Sequence, residues 1–246
     1  MTKLIQLLDN NRGRAAKPQA LVTNGDETTI YIYDAIVSDD ITAEWWGGVS
    51  AQSLVPQIRA IKGGTINLRL NTPGGDVFAA QAICQAVRDT AAHVIAHIDG
   101  YAASAGTVIA TSADEIRASE GAMYMVHCGW TFAMGNAIEM RSTADLLDKV
   151  DGTICAQYAR KTGKTEAEIL TIMQAETWYT AQEAIDAGFI DSISASPKVK
   201  ASWNLSAYAN APAPAPAEPE IDNRAADDHR ARQQQRLSML SRIQII

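Results

Sequence analysis

Apolar positions along the chain alternate between a two-residue and a roughly three-and-a-half-residue period. Thr28 to Val37 is rich in β-branched and aromatic residues and predicts a strand. Leu54, Val55 and Ile58 recur at helical spacing and predict a helix over 51–60. Thr65 to Leu70 alternates and predicts a strand, which is followed by an Asn71-Thr72-Pro73-Gly74-Gly75-Asp76 turn and a helix over 77–88. A strand at 94–98, a helix at 104–112 and short strands at 115–117 and 122–126 continue the pattern. Strands alternating with helices predict an α/β fold with mostly parallel pairing.

From Asn136 the pattern changes. Ile138, Leu146, Leu147, Val150, Ile154 and Tyr158 keep helical spacing with charges between them, which predicts one long helix to Lys161. A helix over 165–173 follows, with Thr165 as N-cap and Glu168 in the capping-box position. A last helix covers 181–187 and stops at Gly188, and Phe189 to Ser194 predicts a final strand. The run Ala211-Pro-Ala-Pro-Ala-Pro-Ala-Glu-Pro-Glu220 favours an extended linker. These shifts divide the chain into an N-terminal arm (1–25), a catalytic domain (26–200), a Pro/Ala-rich linker (201–221) and a C-terminal tail (222–246). In the tail, Leu237, Leu240 and Ile243 are spaced by three, as in a docking or scaffold-like helix.

Composition narrows the function. A hydrophobic content of 47% is enough for a full core, and a net charge of −7 argues against a nucleic-acid-binding face. Three cysteines without regular spacing read as free thiols in a reducing compartment. The opening residues lack the apolar run of a signal peptide, and no segment is long and apolar enough to span a bilayer. The expectation is a soluble, cytoplasmic protein.

Three short motifs carry chemistry. Ser104 lies in Gly100-Tyr-Ala-Ala-Ser-Ala-Gly106, a small-residue turn opening a helix, where a hydroxyl is exposed and backbone N–H groups favour developing negative charge. Gly74-Gly75 ends a strand and lets a backbone N–H approach a carbonyl oxygen closely. His127 ends another strand and is the side chain suited to general base work near neutral pH. Read singly, each is as well explained by a tight helix start, a turn after proline or a structural histidine. Together they supply a nucleophile, a base and oxyanion donors.

A third group should be a carboxylate that orients the histidine. Glu176, Glu183, Asp186 and Asp191 are the downstream candidates, and Glu176, in a loop before Trp178 and Tyr179, ranks first. Cys128 is a rival nucleophile, disfavoured because neighbouring strand residues point to opposite faces. His93 and His97, four apart, fit a strand better than a metal site. No metal ligand set and no cofactor site is expected.

The motifs Asn71 to Gly75, Gly100 to Gly106 and Met125-Val126-His127, with the long helix and the closing segment Thr180 to Asp191, resemble the proteolytic subunits of the Clp protease and their phage relatives. The resemblance spans roughly 28–194 and keeps order and spacing. It implies an α/β fold of repeated ββα units, shared with the crotonases, with a protruding handle helix at 136–161. It further implies a serine endopeptidase with Ser104 as nucleophile, His127 as base, Gly75 and Ala105 N–H groups as oxyanion hole, and ring-shaped homo-oligomers. The family's aspartate falls on Glu176, a departure that lengthens the carboxylate by one methylene.

Gln174 to Thr180 looks more like the phage head maturation (prohead) branch. There the protein substrates are scaffold and capsid-interior proteins, and the enzyme works in the host cytoplasm or capsid interior without an ATPase. The alternatives are a cellular Clp-like subunit working with an ATPase, a crotonase-fold acyl-CoA enzyme and a non-catalytic capsid assembly protein. No nucleic-acid or membrane partner is expected.

Overall fold

The computed structural model describes residues 6–9, 21–194 and 204–212. A helical turn (α1, residues 6–9) and strand β1 (Leu21–Asn24) precede β2 (Glu27–Ile32) and β3 (Ile36–Val37). Then come α2 (Asp40–Trp46), β4 (Val49–Ser50), α3 (Ala51–Ala60), β5 (Thr65–Thr72), α4 (Val77–Asp89), β6 (His93–Ala103) and α5 (Ala105–Ala110). The chain continues through β7 (Glu115–Ser119), β8 (Met123–Val126), α6 (Ala137–Thr162), α7 (Glu166–Gln174), β9 (Thr177–Thr180), α8 (Ala181–Asp186) and β10 (Ser192–Ser194). This is the mixed α/β fold that the alternating periods imply.

The main sheet runs β1-β2-β5-β6-β7-β10, parallel except for the β1–β2 hairpin. Alternation sets its faces. Ile30 and Ile32, Ile66, Leu68 and Leu70, and Ala96 and Ile98 point to one side, where all are fully buried with Leu54 and Ile58 of α3 and Ile83 of α4. The other face is polar, which is unusual for parallel strands. There Asp99 accepts hydrogen bonds from Tyr33 and Arg69, and His97 pairs with Asn67. Burial of the Tyr33 phenol, beside the Asp99 carboxylate, pushes its pKa up to about 12.

Strand β6 has eleven residues and serves two branches of the sheet. Its first half lies between β5 and β7, whereas Tyr101, Ala102 and Ala103 pair with Met123, Tyr124 and Met125 of β8. A register shift between Leu70 and Thr72 of β5 accompanies the change. Beyond β8 lies β9, antiparallel, with Val126 opposite Thr177.

Several boundaries differ from the sequence expectation. The strand expected over 28–37 breaks at Asp34, whose carboxylate accepts the Ala35 and Gly48 N–H groups and so bends the chain locally. The loop expected around Glu176 continues into β9, a four-residue strand too short to carry a periodic signal. The final strand is confined to Ser192–Ser194, because Phe189 N–H and Ile190 N–H turn back onto the Ala184 carbonyl. The long helix is present, with a capping box at Asn136 and Glu139 and a left-handed Gly163 as its stop. Its apolar stripe is buried only toward the C-terminal end, at Ile154 and Tyr158, while Ile138 and Leu146 are exposed.

Residues 204–212, assigned to the linker by composition, belong to the same compact unit as the α/β body, which extends to Pro212. The last residues of the expected arm form β1. The tail lies outside the described residues.

Helix α5 is tied to the long helix by one buried polar contact. Thr107 Oγ1 lies 2.6 Å from Tyr158 Oη and 2.5 Å from the Ser104 carbonyl, and both side chains are essentially inaccessible. Replacing Thr107 by Val strands the Tyr158 hydroxyl and is expected to cost about 1–3 kcal/mol. Adding Tyr158→Phe should recover part of that loss, a coupling measurable as a double-mutant cycle in urea unfolding.

Candidate active site

Ser104 follows the last residue of β6, and His127 follows the last residue of β8. These are adjacent parallel strands, so their ends bring the two side chains together. Ser104 N–H donates to the Met125 carbonyl at 2.9 Å, which carries the strand ladder into the turn. The Ser104 Oγ–His127 Nε2 distance is 2.7 Å. A serine at a helix start ordinarily caps it with its hydroxyl. Here α5 has no side-chain cap bond, and the Ser104 hydroxyl faces the imidazole instead.

Backbone strain marks the same place. Among the described residues, Ser104 (φ 54°) and Glu176 (φ 47°) are the non-glycine residues with positive φ. Such conformations cost on the order of 1–3 kcal/mol each and persist where the surroundings enforce them. At Ser104 the strained turn lifts the side chain off the strand end, as in a nucleophile elbow.

The glycine loop packs against this turn. A Cβ on Gly74 (φ +91°) would sit 2.6 Å from the Ala103 carbonyl oxygen and 2.8 Å from Ser104 Cβ. A Cβ on Gly75 (φ +150°) would lie 2.1 Å from the Ile36 carbonyl oxygen. Only glycine therefore lets the loop approach both β3 and the Ser104 turn. The contact with β3 is a short parallel bridge in which Ile36 N–H donates to the Gly74 carbonyl and Asp76 N–H donates to the Ile36 carbonyl. Thr72 Oγ1 accepts from Gly74 N–H and donates to the Asp34 carbonyl, securing the start of the loop. Ala105 is the first residue of α5, where helix N–H groups lack intrahelical acceptors, and Gly74 abuts its nitrogen.

Glu176 immediately precedes Thr177, the partner of Val126. The ladder ends at that pair, and His127 and Glu176 are the next residues beyond it on the two chains. The other downstream carboxylates are engaged elsewhere. Glu183 closes the capping box of α8 with Thr180. Asp186 accepts from Gln182, and Asp191 accepts from Ile116 N–H and pairs with Lys161. Cys128 faces away toward α6, where burial and the Asp151 carboxylate push its thiol up to about 12. A thiol so raised supplies almost no thiolate near neutral pH. His93 lies beside Asp114 and His97 beside Asn67, both far down β6 from Ser104.

Two residues beyond the expected catalytic domain reach the site. Tyr208 donates its hydroxyl to the Pro73 carbonyl, and its ring meets the His127 ring edge-on at 5.4 Å between centroids. Asn210 N–H donates to Glu176 Oε1 at 2.6 Å, and its side-chain amide donates to the Ala175 carbonyl at 2.9 Å. Leu205-Ser206-Ala207-Tyr208 has no periodic signal. Its one clue is a run of apolar and aromatic residues ahead of the proline-rich stretch.

Among the described residues, no group of three or more His, Cys, Asp or Glu side chains is arranged to hold a metal ion, and no helix is long and apolar enough to cross a membrane.

Comparison with known proteins points to one family. The Clp protease family model matches residues 27–197. The ATP-dependent Clp protease proteolytic subunit of Streptococcus pneumoniae (strain Hungary19A-6) is 34% identical over 135 residues, covering 53% of this chain and 69% of that protein. The subunit from strain CGSP14 matches to the same extent. Among solved structures, a point mutant of ClpP1 from Listeria monocytogenes superposes with a TM-score of 0.56 at 21% identity, covering 67% of this chain and 90% of that one, a likeness of fold. With a glycine loop, a strained serine turn and a strand-end histidine in this order, and the family model spanning most of the α/β body, the chain belongs to the Clp protease family.

Proposed function

We propose that the protein is a serine endopeptidase in which Ser104 is the nucleophile, His127 the general base and Glu176 the group that orients the histidine. The observation that carries this reading is the 2.7 Å contact between Ser104 Oγ and His127 Nε2 at a strained turn. His127 Nε2 takes the Ser104 proton as Oγ attacks the scissile carbonyl, and the carbonyl oxygen gains the charge. The Gly75 and Ala105 N–H groups receive that oxyanion. The imidazolium then protonates the leaving amine, and water hydrolyses the acyl-enzyme by the same base. Glu176, just beyond the end of the ladder that leads to the histidine, favours the imidazolium and holds its ring.

Family membership supports a homo-oligomeric ring as the working form, with exposed Ile138 and Leu146 on α6 available for contacts between copies. The substrates in this reading are scaffold or capsid proteins of a phage head, and the chain itself is one. The Pro/Ala-rich run behind a folded catalytic body supports that finer assignment. A cellular subunit serving an ATPase is the second reading, favoured by the names of the Streptococcus relatives.

Three outcomes are expected. A fluorophosphonate probe should add once to the parent protein and not to Ser104→Ala or His127→Ala, as read by intact mass. Gly75→Ala, whose new Cβ would collide with Ile36, should lower the labelling rate by about 100-fold, the usual scale of a lost oxyanion donor. Absence of labelling on folded, assembled parent protein would overturn the reading. On storage, active protein should also lose its C-terminal part by a cut beyond Pro212, because residues 204–212 are packed against the body. Equal masses for the parent and Ser104→Ala chains, apart from the substitution itself, would remove self-cleavage from the proposal.

A further inference from the structure

Residues 204–212 do not run past the site; they are built into it. Ala207 and Tyr208 are buried in a small apolar cluster with Leu7, Tyr101, Ala103 and Met125, with Trp178 and Leu205 packed against it. Tyr101 and Ala103 of β6 and Met125 of β8 lie in this second cluster, while Ala102, Tyr124 and Val126, one residue away on the same strands, lie in the main core. The segment therefore roofs the sheet face that leads, strand by strand, to Ser104 and His127.

Its contacts fall on three parts of the proposed machinery. The Tyr208 hydroxyl donates to the carbonyl of Pro73, whose peptide bond leads into Gly74 and then Gly75. Burial, with the Glu176 carboxylate adding to it, keeps the phenol protonated well above its ordinary range. Its ring edge lies against the imidazole of His127 at 88° between planes, which restricts rotation of the base. Asn210 fixes Glu176. Its backbone N–H binds the Glu176 carboxylate, and its side chain spans the Ala175 and Glu176 carbonyls across a backbone held at positive φ.

From this geometry we infer that Tyr208 and Asn210 are positioning residues of the active site: Tyr208 orients the glycine loop and His127, and Asn210 holds Glu176 in register. The inference rests on the serine-peptidase reading. A plug that blocks substrate is the opposing use of the same contacts. The Ser104–His127 contact is intact at 2.7 Å with the segment docked, and Tyr208 is anchored in a hydrophobic cluster of its own. Both observations fit a support rather than a blockade.

The test uses full-length assembled protein and the saturation kinetics of fluorophosphonate labelling. Tyr208→Phe keeps the ring and its packing but loses the bond to Pro73. It should lower kinact about tenfold at unchanged KI, the rate equivalent of one hydrogen bond of roughly 1.4 kcal/mol. Asn210→Ala, which keeps the backbone donor, should lower kinact several-fold, also at unchanged KI, and serves if the tyrosine variant fails to fold. Failure of the parent itself to react would sink the serine-peptidase reading and this inference with it. A reactive parent with variants of parental kinact, or with changes confined to KI, would overturn the positioning role alone. Faster labelling of Tyr208→Phe would identify the segment as a plug and overturn it too.

Discussion

The change of partner along β6 is the constraint on which the site depends. One eleven-residue strand belongs to the main sheet at its start and to a smaller β6–β8–β9 layer at its end. The ladder with β8 continues as far as the bond from Ser104 N–H to the Met125 carbonyl. The chain must then leave the sheet and enter α5 within a single residue. Ser104 absorbs that change at positive φ, and its side chain projects toward the end of the neighbouring strand, where His127 stands. The strained backbone and the Ser104–His127 contact arise from the same turn.

Around this turn each neighbour is held by a specific close approach. Gly74 and Gly75 allow backbone to meet backbone at the Ser104 turn and at β3, and Thr72 and Asp34 hold the loop from behind. Thr107 uses its hydroxyl both on the Ser104 carbonyl and on Tyr158 of the long helix. Because the contact is buried, an unmade bond there would be costly, so this small polar cluster fixes α5 relative to α6 more tightly than apolar packing alone would.

The second strained residue, Glu176, is controlled differently. It follows the C-cap of α7 and precedes β9, with its N–H on the Met173 carbonyl and its carboxylate on Asn210. A glutamate is longer than an aspartate by one methylene, and a backbone N–H donor on its Oε1 limits the freedom that this length brings. The segment carrying Asn210 also carries Tyr208, so one short stretch of chain reaches the glycine loop, the histidine and the glutamate together.

By itself the sequence determined the elements with strong local signals. The alternation at 65–70 marks a strand that exists, the helical spacing from Asn136 and the capping box at Thr165 mark real helices, and the order of glycine loop, serine turn and histidine carries the family. These features depend on neighbours a few residues apart, which periodicity and capping chemistry report directly. The break at Asp34, the four-residue β9 and the docking of residues 204–212 escaped because each is decided by partners far along the chain. Asp34 is met by Gly48, Thr177 by Val126, and Tyr208 by Pro73. Only the tertiary structure could set Tyr208 against His127 and Asn210 against Glu176. A hydrogen bond spanning 135 residues leaves no periodic trace in the residues at either end.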